Sequence, residues 1–132
     1  MLKRDYKLSI TDIRDCANRI LDYTMDKSFD EFIENQMLLD AVARNLEIIG
    51  ETTKNLPNNI RQKYPQVEWR KIAGLRDIVA HGYFGIDYEI LWDIIQNKIP
   101  DLVVKIQEVI DGETGDERIK IRQNTDSGVS RG

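Results

Sequence analysis

Tyr6, Ile10, Ile13, Ala17, Ile20 and Thr24 recur at steps of four and three. That spacing puts six side chains on one face of a 3.6-residue helix and commits the face to burial. It predicts a first helix from about Asp5 to Thr24. Ser28-Phe29-Asp30-Glu31 reads as a capping box, in which the serine hydroxyl and the glutamate carboxylate satisfy each other's free amides. A long second helix should follow to about Lys54, with Leu39, Val42, Leu46 and Ile49 as its seam. Asn55-Leu56-Pro57-Asn58-Asn59 breaks that helix, and a short helical turn precedes Tyr64-Pro65. A third helix is expected from about Val67 to Ala80, before a turn bracketed by Gly82 and Gly85. Asp87 is placed to cap a fourth, whose apolar residues are Leu91, Ile94, Ile95, Leu102, Ile106 and Ile110. Pro100 should bend or restart it. Nothing alternates as a strand would. The expected fold is all-α: an antiparallel up-and-down helical bundle of four main helices plus one short turn. Residues 1–110 form the helical domain; residues 111–132 are polar, carry Gly112, Gly115 and Gly128, and are expected to be a mobile tail with little to pack.

The chain of 132 residues suits one domain with a real core. Its single cysteine, Cys16, rules out an intrachain disulfide and makes a cysteine-built metal site an unfavourable reading. A free thiol, no apolar leader after Met1 and no window of about 18 apolar residues lead to the expectation of a cytoplasmic protein. The net charge of −4 argues against a broad, nonspecific grip on nucleic acid. The charge is unevenly placed. Between Arg44 and Arg76 seven basic residues (Arg44, Lys54, Arg61, Lys63, Arg70, Lys71, Arg76) face three acidic ones (Glu47, Glu51, Glu68). The difference, 7 − 3 = +4, leaves −8 for the rest of the chain. A basic middle can guide a phosphate backbone into a site, or it can be a solvated helix surface.

His81 is the only histidine. At the end of a helix, with glycine after it, it meets orphan carbonyls and the negative end of the helix dipole, and both favour the imidazolium. Its ordinary pKa of about 6.5 already allows proton exchange near neutrality. Arg76 lies five residues earlier, about 140° around a continuous helix, so the two converge only if the helix loosens near His81. On spacing alone, His81 capping carbonyls and Arg76 in a salt bridge is a safer reading than a catalytic pair.

Arg76-Asp77-Ile78-Val79-Ala80-His81-Gly82-Tyr83 has the form R-x-x-x-x-H-x-Y and resembles the signature of the HEPN superfamily, with the tyrosine pointing to its HepT toxin branch. Arg44-Asn45-Leu46-Glu47-Ile48-Ile49-Gly50-Glu51 is similar to that branch's second-helix signature. Tyr64-Pro65, Trp69-Arg70, His81 to Gly85, Trp92 and Ile99-Pro100 match in order, so the resemblance spans about residues 5–110. The branch usually continues Gly-Glu-Ala where this chain has Gly50-Glu51-Thr52.

The resemblance implies a metal-independent endoribonuclease without a cofactor. It implies a toxin of a type VII-like toxin–antitoxin pair that works as a homodimer with two copies of the motif facing one cleft. Arg76 and His81 would be the catalytic residues. The resemblance favours Arg44, Glu47 and Glu51, at i, i+3 and i+7, as a polar row lining the cleft, with Glu47 nearest the motif; the alternative is a surface salt bridge. Asp77 orients Arg76 or faces solvent. Tyr83 would be the target of AMPylation by a partner nucleotidyltransferase of the MNT type, which silences the toxin. The competing function is a non-catalytic subunit that binds nucleotide or substrate for such a nucleotidyltransferase. Trp69, Trp92, Phe29 and Phe32 are read as core or interface rather than as base-stacking platforms.

Overall fold

A computed structural model describes residues 6–80 and 87–125, with side chains through Val79 and from Asp87 to Gly115. All regular structure among these residues is helical. The helices are α1 (Tyr6–Thr24), α2 (Phe29–Glu34), α3 (Gln36–Lys54), α4 (Asn58–Lys63), α5 (Trp69–Ala73), α6 (Leu75–Ala80), α7 (Tyr88–Asp93) and α8 (Ile99–Thr125), with a π-helical turn over Ile94–Lys98 between the last two. None of the described helices is long and apolar enough to cross a membrane.

The stripe on α1 is buried as its spacing requires: Ile10, Ile13, Ala17, Ile20 and Thr24 all lie in the interior. It packs on α3 and α8. Val42, Leu46 and Ile49 meet it from α3, and Ile99, Leu102, Ile106 and Val109 from α8. On its other side α3 carries α5 and α6, so it is the central element of the fold.

The expected long second helix is two helices. The capping box forms as read, with Ser28 N–H donating to Glu31 Oε1 at 2.8 Å and Glu31 N–H to Ser28 Oγ at 3.1 Å. Asn35 then takes an extended conformation and caps a new helix, its Oδ1 accepting from Leu38 N–H at 3.0 Å. The break turns α2 so that Phe32 is fully buried and stacks on Trp92 at 5.1 Å between centroids; Phe29 meets the same ring edge-on at 6.1 Å. The expected third helix is also divided. Gly74 ends α5, and its carbonyl accepts from Asp77 N–H at 3.0 Å as α6 begins. Asp87 caps α7 as predicted, through Glu89 N–H at 2.9 Å and Ile90 N–H at 3.2 Å.

Pro100 acts on the turn before it. Proline has no N–H to give to a carbonyl four residues back, and its ring crowds that carbonyl. The ladder widens by one residue there, with Ile99 N–H bonding to Ile94 O, and resumes as α8. Arg61 closes the end of α3: its Nη2 donates to Thr53 O at 2.8 Å and Lys54 O at 2.6 Å, two carbonyls of that helix's last turn.

The part of the expected tail that the structure describes, residues 111–125, is helical. Helix α8 continues through residue 111 to Thr125, and Glu113 is a buried residue, 6% exposed. Its Oε1 accepts from Tyr6 Oη at 2.8 Å, and its Oε2 from Lys63 Nζ at 2.8 Å and Tyr64 Oη at 2.5 Å. Gly112 makes room for this: a Cβ there would stand 2.5 Å from Tyr64 Oη. A polar side chain with three donors can be packed where a polar side chain without them cannot, so composition misled here. Burial alone would push the Glu113 carboxyl up, but the bonds from Lys63, Tyr64 and Tyr6 outweigh it and hold the carboxyl below the ordinary range.

Glu113→Ala should cost about 2 kcal/mol at neutral pH, because it strands three donors, one of them a half-exposed lysine. A group with a depressed folded pKa stabilises above its unfolded pKa and loses that contribution as pH falls through the folded one. Urea denaturation of wild type and Glu113→Gln should therefore differ most near pH 7. The two curves should converge as pH drops below about 4.

Candidate functional site

The geometry around Arg76 starts at Gly50. An ideal Cβ built on Gly50 would lie 2.7 Å from the backbone nitrogen of Arg76, 2.8 Å from Arg76 Cβ and 3.0 Å from the Ala73 carbonyl oxygen. Only a residue without a side chain lets α6 rest on α3 at this distance. The next residue on α3, Glu51, then sits beside the Arg76 side chain, and the two form an ion pair with Nε to Oε2 at 3.0 Å. Both remain substantially exposed, 41% for the arginine and 48% for the glutamate side chain. No other described residue pairs with the Arg76 guanidinium. Among the described residues this cation thus has one ion-pair partner and remains partly exposed.

The polar row of α3 divides. Glu51 reaches Arg76, whereas Glu47 turns to Arg44, with Nη1 to Oε1 at 3.1 Å on the exposed surface. The residue next to the motif arginine is therefore Glu51 and not Glu47. Asp77 is exposed at the start of α6. His81 and Tyr83, with the turn from Gly82 to Gly85, lie outside the described residues.

The basic middle of the chain is mostly occupied. Arg44, Lys71 and Arg76 pair with Glu47, Glu68 and Glu51; Lys63 pairs with Glu113; Arg61 is spent on the end of α3. Lys54 and Arg70 are exposed cations without a described partner. The sequence reading missed Gly50 as a determinant of the site. Its signal was available, since an isolated glycine inside an apolar helical pattern costs about 1 kcal/mol and so points to a packing reason.

Gly50→Ala supplies a test with two opposite signs. In an unconstrained helix it would stabilise by about 1 kcal/mol. Here the added methyl meets backbone, which cannot rotate away, so overpacking of about 1–3 kcal/mol should dominate. The expected result is a net fall in urea midpoint; a rise would show that α6 is not seated on Gly50.

Comparison with known proteins adds the family. The model described as "Ribonuclease HepT-like" matches residues 13–109. A protein of Methanocaldococcus jannaschii named "Putative RNase" is 45% identical over 121 residues, covering 92% of this chain and 100% of that protein. Another named "Putative RNase", from Caldanaerobacter subterraneus subsp. tengcongensis, is 44% identical over 86 residues, 65% of this chain and 77% of its own. "Probable ribonuclease HepT" of Thermococcus cleftensis is 36% identical over 108 residues, 82% of this chain and 98% of its own. No solved structure matches. With a matching model over residues 13–109 and relatives of 45% and 36% identity covered over 100% and 98% of their own length, the chain belongs to the HepT-like ribonuclease family of the HEPN superfamily.

Proposed function

We propose that this chain is an endoribonuclease that needs no metal, with Arg76 and His81 as its catalytic residues. The observation that supports this best is the Arg76 guanidinium, paired with Glu51 of α3 and still partly exposed, within the motif Arg76-Asp77-Ile78-Val79-Ala80-His81. RNA carries its own nucleophile, the 2′-hydroxyl beside each phosphate. An imidazole takes that proton, and an imidazolium gives one to the departing 5′-oxygen; the products are a 2′,3′-cyclic phosphate and a free 5′-hydroxyl. A guanidinium opposes the charge that builds on the phosphorane oxygens, and its forked donors suit that geometry better than a lysine.

One chain offers one histidine, while the reaction uses an acid and a base. A homodimer that brings two His81 residues to one cleft supplies both. In this reading the protein is the toxin of a type VII-like toxin–antitoxin pair. A partner nucleotidyltransferase silences it by moving AMP from ATP to the Tyr83 hydroxyl, with pyrophosphate leaving. The added phosphate and nucleoside then stand where substrate phosphate would bind.

Purified, unmodified protein should cleave RNA in excess EDTA, and Arg76→Ala and His81→Ala should each lower the rate by at least about a hundredfold. Equal cleavage by wild type and His81→Ala would assign the activity to a contaminant. No cleavage by wild type with an unmodified Tyr83 would favour the non-catalytic binding subunit instead. Incubation with the partner enzyme and ATP should add AMP at Tyr83, read by mass spectrometry of the tryptic peptide; adenylate found only elsewhere would overturn that assignment.

A further inference from the structure

We infer that Lys54 and Arg70 bind the phosphates next to the one at Arg76, so that the RNA strand runs along the C-terminal half of α3. The inference rests on the proposed ribonuclease reading and deepens it, because it says which way the substrate lies. Three observations carry it together. First, these two cations are left over. The other basic side chains between Arg44 and Arg76 are engaged: Arg44, Lys63, Lys71 and Arg76 with carboxylates, Arg61 with carbonyls. Lys54 and Arg70 are exposed and have no partner among the described residues.

Second, both stand on the flank where Arg76 meets Glu51. Lys54 follows Gly50 by four residues, about 6 Å along α3 and about 40° around it, on the side of Glu51. Helix α5 packs on α3; it starts beside the end of α4, where Trp69 Nε1 donates to Tyr64 O at 2.9 Å, and reaches Gly50 at Ala73. It therefore runs back along the last turns of α3. Glu68, Lys71 and Ile72 line a groove against α8. Arg70 is about 200° around α5 from Ile72, on the opposite flank, above Glu51 and Lys54.

Third, the ordinary role of a lysine in the last turn of a helix is already taken. Such a lysine lies against the terminal carbonyls. Here Arg61 Nη2 donates to the Thr53 and Lys54 carbonyls at 2.8 and 2.6 Å, and the Lys54 side chain is left to solvent on a fixed backbone. The direction follows from charge. Toward the start of α3 the same face carries Asp40 and Glu47 against Arg44, which is paired. A phosphate backbone is repelled on that side and attracted on the other, and contacts to phosphate set the register of a strand whatever its bases.

The probe is a short single-stranded RNA with every 2′-hydroxyl methylated, which binds but has no nucleophile. Fluorescence anisotropy reads its affinity between about 50 and 200 mM KCl for wild type, Lys54→Gln, Arg70→Gln and Lys27→Gln. Lys27 is exposed and lies beside Asn35 and Met37 at the start of α3, so its substitution makes the same change in net charge away from the strand. Lys54→Gln and Arg70→Gln should each weaken binding about fivefold at the lowest salt. Each should also make the slope of log affinity against log salt shallower by about 0.7, the value for one phosphate contact on a single strand. Lys27→Gln should leave the slope at its wild-type value. An unchanged slope in either variant overturns its assignment. An equal loss in Lys27→Gln, or no binding by wild type at the lowest salt, overturns both. Wild type that binds with these slopes yet cleaves no ordinary RNA defeats the ribonuclease reading and leaves the strand path standing.

Discussion

The distance between α3 and α6 at Gly50 is a packing constraint of a strict kind. Cβ atoms do not approach backbone atoms within 3.0 Å, and here a Cβ would stand 2.7 Å from one backbone nitrogen. The consequence is geometric before it is energetic. Two helices in ordinary contact lie 8–10 Å apart and communicate through interdigitated side chains. Where one lacks a side chain, the other's backbone rests on it, and the flanking side chains gain a fixed relation. Glu51 and Arg76 are such flanking residues. Because α3 is also the element on which α1 packs, the site is tied to the core through that helix.

That core is held by apolar burial from three directions, and the polar anchors lie at its margins. Asn35 starts α3, Arg61 closes it, and Glu113 joins the start of α1 to the end of α4 from α8. Each anchor satisfies groups that burial or a helix end would otherwise leave unpaired. The margins decide where helices stop, and helix ends decide where a motif residue can stand.

The sequence was legible where one face of a long helix is buried. The stripe from Tyr6 to Thr24 became α1 almost residue for residue, and the Ser28 and Asp87 caps formed as read. It was less legible where a polar side chain takes over a backbone hydrogen bond. Asn35 inside an apolar pattern looks like a tolerated helical residue, yet it ends one helix and caps the next. Gly74 was also hidden within an expected continuous helix, since nothing in the spacing says that the ladder restarts after it. Glu113 was illegible because its donors, Tyr6, Lys63 and Tyr64, lie 107, 50 and 49 residues away. At the site, the motif named Arg76 but not its neighbour. Arg44, Glu47 and Glu51 share a helix face, and only the α3–α6 approach selects Glu51 among them.

Proximity and strength separate at this ion pair. Buried, an Arg–Glu pair would carry a large desolvation cost, and its guanidinium would be closed to a second anion. Fully exposed, it would be screened and the arginine would swing freely. At about half exposure the pair is stabilised by little, but the backbone contact at Gly50 has already brought the partners together, so little is needed. A cation can then be paired and still partly exposed, a combination that neither charge nor burial achieves alone.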